Sequence, residues 1–266
     1  MSPFDEPIPI EKSAPTAGNY RDIPIDSHDP RYCESLVDAR AAGIAGENYY
    51  ARTDGRNQPY REAVPGAVQE LWLRQSIVSM LAKVNARLAA YSVEIFLWDA
   101  YRPIACQQAL WDFFWERFGS KTPHVGDAAL AERVRHYVSD PRLFDPENPR
   151  TWPAHATGAA LDLTLRNLGT RELLDMGTHF DDMSTTSNSD HYERLLNEGR
   201  IGADDGRLRN RRLLHWAMRE EGFTNYSYEC WHFDYGNQMY VEMSSFLGRN
   251  SADAAWYGYV PPPGAG

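Results

Sequence analysis

The sequence predicts an α+β fold in which a central antiparallel sheet is flanked by helices. Within 67–99 a long amphipathic segment is followed directly by an alternating, strand-like segment. Within 104–235 further apolar segments of helix length and of strand length follow at unequal intervals. This irregular order is typical of α+β domains and not of regular βαβ winding. A chain of 266 residues can bury a substantial core as one domain.

The N-terminal part differs in composition from the rest of the chain. Residues 1–30 are rich in Pro, Ser and Asp and predict an extended arm, whereas 31–266 are expected to form a single domain. Within 67–90 the apolar residues recur close to every 3.6 positions, which predicts a long amphipathic helix. Pro65 and Gly66 mark the start of that helix.

The next two predicted elements are a strand and an aromatic helix. Residues 92–99 alternate and are rich in β-branched and aromatic side chains, which indicates a strand. Pro103 ends this strand, because proline cannot donate to a sheet but suits the first turn of a helix. The helix predicted at 104–118 carries a core-facing side made of Leu110, Trp111, Phe114, Trp115 and Phe118.

The second half of the chain supplies the remaining predicted elements. Residues 141–153 contain four prolines and predict a loop. The apolar segment 159–165 predicts a buried strand, and 208–221 predicts a helix that is ended by Gly222. Residues 226–235 predict a closing strand.

Charge and cysteine content argue against several functional classes. A net charge of −10 gives no concentrated basic surface for nucleic acid or for an anionic membrane. The N-terminus lacks the features of a secretory signal, and no apolar stretch approaches the roughly 20 residues needed to cross a bilayer, so a cytoplasmic location is expected. Three widely spaced cysteines predict reduced thiols and no thiolate zinc site. The sequence predicts no particular oligomeric state.

Candidate metal ligands occur at two places in the chain. His155 and Asp162 flank the start of one predicted strand, and His232 lies in the closing strand. Two imidazoles and a carboxylate are good zinc ligands, and a catalytic zinc site keeps a fourth position open for water. Gly158 allows the chain to turn between His155 and Asp162. Considered from the residues alone, each of these side chains has an alternative role in hydrogen-bonded structure.

Glu229 is a candidate catalytic base. Residues three apart on a regular strand point to opposite faces, so Glu229 and His232 can both face a metal only where the strand twists, bulges or ends. A base, however, has only to reach the attacking water and need not bind the metal. Cys230, between them, is expected to pack and not to bind zinc.

Five segments resemble those of the VanX-type D-alanyl-D-alanine dipeptidases, a branch of the zinc D,D-peptidases. They are WDAYRP (98–103), HATGAALDLTL (155–165), DMGTHFD (175–181), NRRLL (210–214) and YECWHF (228–233). The segments occur in the family's order across 45–240. The resemblance implies the zinc D,D-peptidase fold, one zinc ion per chain, and a small dipeptide substrate with a free amine and a free carboxylate, D-Ala-D-Ala.

The resemblance also implies roles for individual residues. The zinc ligands that it implies are His155, Asp162 and His232. Glu229 would act as general base and then as general acid, since zinc lowers the pKa of water to roughly 7. Arg102 would polarise the scissile carbonyl and stabilise the tetrahedral intermediate. Asp181 would hold the free ammonium group of the dipeptide.

Three residues depart from the family's pattern. Pro153 and Ala154 stand where the family has serines, and Cys230 replaces a tryptophan. The first two imply the loss of a polar contact near the substrate amine. One alternative is therefore a zinc D,D-carboxypeptidase or an amidase that acts on peptidoglycan fragments or another small amide. A second is a non-catalytic metal-binding protein, against which the presence of both Glu229 and Arg102 argues.

Overall fold

The computed structural model describes residues 5–10, 19–122, 124–135, 137–249 and 252–264. The strands of this part are β1 (Leu36–Asp38), β2 (Trp72–Arg74), β3 (Val93–Asp99), β4 (Ala160–Asn167), β5 (Thr224–Asn225) and β6 (His232–Asp234). The helices are α1 (Gln75–Leu88), α2 (Ile104–Gly119), α3 (Asp127–Arg135), α4 (His191–Asn197), α5 (Gly206–Glu220) and α6 (Gln238–Phe246).

The main sheet is antiparallel throughout and has the strand order β3-β4-β6-β5, while β1 and β2 form a separate pair. Helices α1 and α5 pack on each other, and they also contact β3 and β4 respectively. Antiparallel strands with helices packed against them confirm the predicted α+β fold class.

Helix α1 begins at Gln75 and not at Ala67, so the predicted start was wrong. The preceding residues are extended because β2 pairs with β1, with Leu36 opposite Arg74. This long-range pairing lies outside what helical periodicity can detect. The rest of the helix buries one side, as predicted, through Ile77, Leu81, Val84 and Leu88.

Strand β3 matches its prediction to within one residue, because Ser92 adopts a left-handed conformation, with a φ of 58°, at the turn after α1. Strand β4 extends to Asn167, which pairs with Val93. The predicted closing strand 226–235 was wrong in detail. This part of the chain is a short hairpin in which β5 and β6 pair and residues 226–231 connect them.

Two hydrophobic clusters form the core. The larger one joins α1, α5, β3 and β4. The smaller one is aromatic, lies around α2, and confirms the predicted core-facing side of that helix: Leu110, Trp111, Phe114 and Phe118 are buried, and Trp115 packs against them. Phe180 joins this aromatic cluster from the loop after β4, and Trp231 joins it from the closing hairpin.

The described part of the N-terminal segment lies on the body of the protein. Trp216 Nε1 donates to the Glu6 carbonyl over 2.7 Å, and Ile8 N donates to Glu193 Oε1 over 2.9 Å. The division into an arm and one domain stays a prediction. Cys33, Cys106 and Cys230 are free. Of the helices within the described residues, none combines the length and the apolar character that a membrane span requires.

Candidate active site

The pairing of β4 with β6 brings the candidate metal ligands together. His155 lies in a single helical turn, Ala154–Thr157, which ends at Gly158 with a φ of 67°. The left-handed backbone favours glycine here, and a Cβ at this position would also displace the Leu36 side chain. Asp162 then lies on β4 directly opposite His232, the first residue of β6.

These three residues form one compact group. One donor atom from each of His155, Asp162 and His232 lies within 4.8 Å of the others. Asp162 is central, because its Oδ2 is 3.4 Å from His155 Nε2 and its Oδ1 is 3.0 Å from His232 Nδ1. All three side chains are almost completely buried. A central carboxylate with an imidazole nitrogen at each oxygen is a donor set suited to zinc.

The outer nitrogens of both histidines have partners that orient the rings. His155 Nδ1 lies 2.8 Å from the Ala100 carbonyl, and His232 Nε2 lies 3.0 Å from Asp234 Oδ2. With a proton on each outer nitrogen, the inner nitrogens are the ones that face Asp162 and would bind a metal. Such outer partners fix the tautomer of metal-binding histidines and make the rings better ligands.

The two rings differ in charge. Burial, helped by the nearby Arg102 charge, lowers the pKa of His155 to about 3, so this ring is neutral. Burial also opposes charging of His232, but Asp234 and Asp162 outweigh it and raise its pKa well above the ordinary value. The inner nitrogen of His232 thus carries a proton that a metal cation would displace, which is the usual exchange when a metal binds histidine. The group therefore fits a divalent cation.

Arg102 lies beside this group, just after the end of β3. Its Nε and Nη2 donate to Asp99 Oδ2 over 2.9 and 2.7 Å, and its Nη1 donates to Gln107 over 3.2 Å. The guanidinium stacks over the ring of Tyr50, 4.8 Å from its centroid, and Nη2 is 3.5 Å from Asp162 Oδ2. Asp99 is fully buried, and burial raises its pKa to about 6 despite the Arg102 charge.

Glu229 occupies the turn between β5 and β6, which resolves the problem of strand faces. The Glu229 N–H donates to the Tyr226 carbonyl over 3.0 Å, and His232 N donates back to the Glu229 carbonyl over 3.1 Å. This turn brings Glu229 Oε2 to 4.0 Å from His232 Nδ1. The side chain is 37% exposed. Desolvation by the surrounding protein, together with the negative charges of Asp162 and Asp181, raises the pKa of Glu229 to about 7.

Asp181 lies in a loop, close enough to interact electrostatically with Asp162 and Arg102. Its backbone is left-handed, with a φ of 64°, and the Tyr60 hydroxyl donates to its Oδ2 over 2.5 Å. Burial raises its pKa, while Tyr60 and the charge of Arg102 lower it. The loop is held by Arg211, which donates to the carbonyls of its residues on both sides of Asp181.

Several residues of the site were not found from the sequence. Asp234 could have been, because residues i and i+2 on a strand share a face and it follows His232 at that spacing. Asp99 belongs to the WDAYRP segment, three residues before Arg102. No sequence pattern indicated that Tyr50 and Tyr60 belong to the site, since each reaches it only through tertiary packing. Cys230 packs in the aromatic cluster around α2, as expected.

Comparison with known proteins gives consistent matches along the chain. The model of the peptidase M15 family, described as D-ala-D-ala dipeptidase, matches residues 37–247. A D-alanyl-D-alanine dipeptidase of Synechocystis sp. is 32% identical over 71% of this chain and 78% of its own. One from Streptomyces coelicolor is 30% identical over 75% of this chain and 89% of its own. One from Enterococcus faecalis is 27% identical over 63% and 75%.

Two solved structures are more distantly similar. One is a vancomycin resistance D,D-pentapeptidase VanY mutant in complex with Zn(II), with 16% identity, a TM-score of 0.35, and coverage of 70% of this chain and 84% of its own. The other is VanYB in complex with D-Alanine-D-Alanine, with 17% identity, a TM-score of 0.35, and coverage of 68% and 80%.

Proposed function

Since this chain belongs to the D-Ala-D-Ala dipeptidase family of peptidase M15, we propose that it hydrolyses D-Ala-D-Ala to two molecules of D-Ala with one zinc ion. The observation that carries the proposal is the convergence of His155, Asp162 and His232 within 4.8 Å, beside an arginine and a glutamate. A zinc ion held by these three residues would lower the pKa of water and polarise the substrate carbonyl.

Glu229 is proposed to move the protons. It removes one from the water that attacks the carbonyl carbon, and it passes one to the nitrogen as the C–N bond breaks. Its position supports this, because the carboxylate lies in the hairpin turn next to His232 and keeps a solvent-exposed side from which water can approach. A base with a pKa near neutrality is suited to both steps.

Arg102 is proposed to stabilise the negative charge that forms on the carbonyl oxygen. Asp99 and Gln107 hold its guanidinium in place before substrate arrives. A preorganised donor of this kind is typically worth about 3 kcal/mol in the transition state. Burial between Tyr50 and Asp162 keeps water away from the guanidinium and strengthens the interaction.

Asp181 is proposed to bind the free ammonium group of the dipeptide. Its support is a carboxylate held by Tyr60 and close enough to the site to interact with both Arg102 and Asp162. A carboxylate at this position favours a substrate with a free amine and disfavours one whose amine is acylated. This contact would distinguish a dipeptidase, which binds a free amine, from a carboxypeptidase, which acts on longer peptides.

The proposal is tested by the release of amino acids from a panel of substrates. Zinc-loaded protein is incubated with D-Ala-D-Ala, L-Ala-L-Ala, D-Ala-D-lactate and N-acetyl-D-Ala-D-Ala, with chelator-treated protein as the control. We expect the highest kcat/KM on D-Ala-D-Ala and none after chelation. A preference for the N-acetylated substrate would support a D,D-carboxypeptidase or amidase instead. No turnover of any substrate would support a non-catalytic metal-binding protein.

A further inference from the structure

A segment near the C-terminus lies against the loop that carries His155. This C-terminal segment, residues 255–260, follows the range that the family model matches. Its first part is anchored in the body of the protein: the N–H groups of Trp256 and Tyr257 donate to the Gly236 carbonyl over 2.9 and 3.0 Å, and Ala255 and Tyr257 are fully buried. The segment is therefore firmly docked before it reaches the site.

Val260 joins the chains that carry two of the proposed site residues. Its N–H donates to the Ala156 carbonyl over 3.1 Å, and its carbonyl accepts from the Tyr101 hydroxyl over 2.9 Å. Ala156 directly follows His155, and Tyr101 directly precedes Arg102. The backbone of Val260 thus contacts both the turn that carries His155 and the residue next to Arg102.

Arg74 fastens the other end of the same loop. Arg74 is only 2% exposed, and its guanidinium donates to the carbonyls of Thr157 and Gly258 over 2.9 and 3.0 Å. It also stacks over the Tyr257 ring, 5.0 Å from the centroid. A Cβ on Gly258 would meet Trp152 Cζ3 at 2.6 Å, so the segment approaches the residues before the loop as closely as a backbone can.

We propose that residues 258–260 are a positioning element for the site, and that Val260 sets the placement of His155 and Arg102 through Ala156 and Tyr101. The inference rests on the proposed function. Its physical basis is that a ligand carried by a single four-residue turn needs support from neighbouring segments, and that small displacements of catalytic groups are costly. Loss of such outer support around a metal site typically costs 10- to 100-fold in metal affinity or activity.

If residues 258–260 had only a structural role, they would stabilise the fold without affecting the metal site. The Tyr257 hydroxyl provides a control for this alternative. The Tyr257 hydroxyl contacts Ser76, at the start of α1, and Glu34, which precedes β1. Tyr257→Phe removes these contacts but keeps the ring under Arg74. This variant should lower the thermal midpoint and leave the zinc dissociation constant unchanged.

The test compares Val260→Pro, Val260→Ala and Tyr101→Phe with this control. Proline removes the N–H that Ala156 accepts, whereas alanine keeps it. We expect Val260→Pro to raise the zinc dissociation constant, measured by chelator competition well below the thermal midpoint, by about 10-fold or more and to lower kcat more than it changes KM. Val260→Ala should restore most of the affinity. Tyr101→Phe should lower kcat without loss of zinc.

Two outcomes would overturn the inference. One is wild-type zinc affinity and kcat in both Val260→Pro and Tyr101→Phe. The other is an equal loss in Tyr257→Phe, which would show that general destabilisation is sufficient. Failure of the proposed function is distinguishable, because it would appear as an absence of dipeptide hydrolysis by the wild-type protein. The zinc affinities of the variants would still decide the role of Val260.

Discussion

The two sides of the site are built differently. On the metal side, Asp162 and His232 face each other across paired strands, and each histidine ring has a second partner that orients it. On the amine side, named for the proposed role of Asp181, that residue comes from a loop and is oriented by one tyrosine hydroxyl and a left-handed backbone.

This structural difference suggests that the metal side determines the rate of the reaction and that the amine side determines which substrate is bound. Side chains mounted on regular strands are placed more accurately than side chains on loops, and the metal side requires that accuracy. Loops vary more between related proteins than the strands and helices that they connect. Substitutions on the metal side should therefore abolish the reaction, whereas those on the amine side should mainly change which substrate is bound.

The largest effect is expected from His232→Ala. Loss of one of three ligands should reduce zinc from about one ion per chain to almost none, and hydrolysis should stop, because a catalytic zinc site needs its three protein ligands. Asp234→Asn is the graded control, since it keeps the ligand but weakens its outer partner, with a loss of about 10- to 100-fold in zinc affinity. Full occupancy in His232→Ala, measured by metal analysis, would refute the ligand assignment.

Glu229→Gln should separate binding of the metal from the chemistry. Because the side chain is not proposed as a ligand, zinc content should stay at the wild-type level, and kcat should fall by about 10²- to 10⁴-fold through loss of the base. Steady-state kinetics on zinc-loaded protein of known metal content measures this. An unchanged kcat would remove Glu229 from the mechanism.

Arg102→Lys should lower kcat by about 10²- to 10³-fold with little effect on KM. Lysine keeps the charge but cannot make the paired contacts of the guanidinium with Asp99 while it also points at the carbonyl oxygen. Because Arg102 also neutralises Asp162 nearby, zinc content must be measured in the same samples. A KM effect without a kcat effect would indicate that Arg102 binds the substrate carboxylate instead.

Asp181→Asn is expected to act on selectivity. Loss of a charged hydrogen bond to the substrate ammonium should raise KM for D-Ala-D-Ala by about 10- to 100-fold, and kcat should change less. The matched control is N-acetyl-D-Ala-D-Ala, whose kcat/KM should not fall, because it has no ammonium group. An equal loss on both substrates would mean that Asp181 supports the loop and does not bind the amine.

The metal side was also the more predictable side from the sequence. His155, Asp162 and His232 were predicted as ligands from ligand chemistry and the family resemblance, and the structure brings their donor atoms within 4.8 Å of one another. The hairpin turn at Glu229 was not found, because a break in a strand depends on backbone hydrogen bonds that a periodic pattern does not record. The contact of Tyr60 with Asp181 was not predicted, because the two residues are far apart in the sequence and meet only through tertiary packing.

The smallest effect is expected from Tyr60→Phe, which removes only the hydroxyl that Asp181 accepts. The ring packs against Phe113 and Tyr50, 4.8 and 5.6 Å between centroids, so phenylalanine should keep the core intact. Loss of this hydrogen bond should raise KM by less than about 10-fold. Since Tyr60 lowers the pKa of Asp181, its loss should raise that pKa further. The pH below which KM rises should therefore move upward, and an unchanged KM profile would show that Asp181 does not depend on Tyr60.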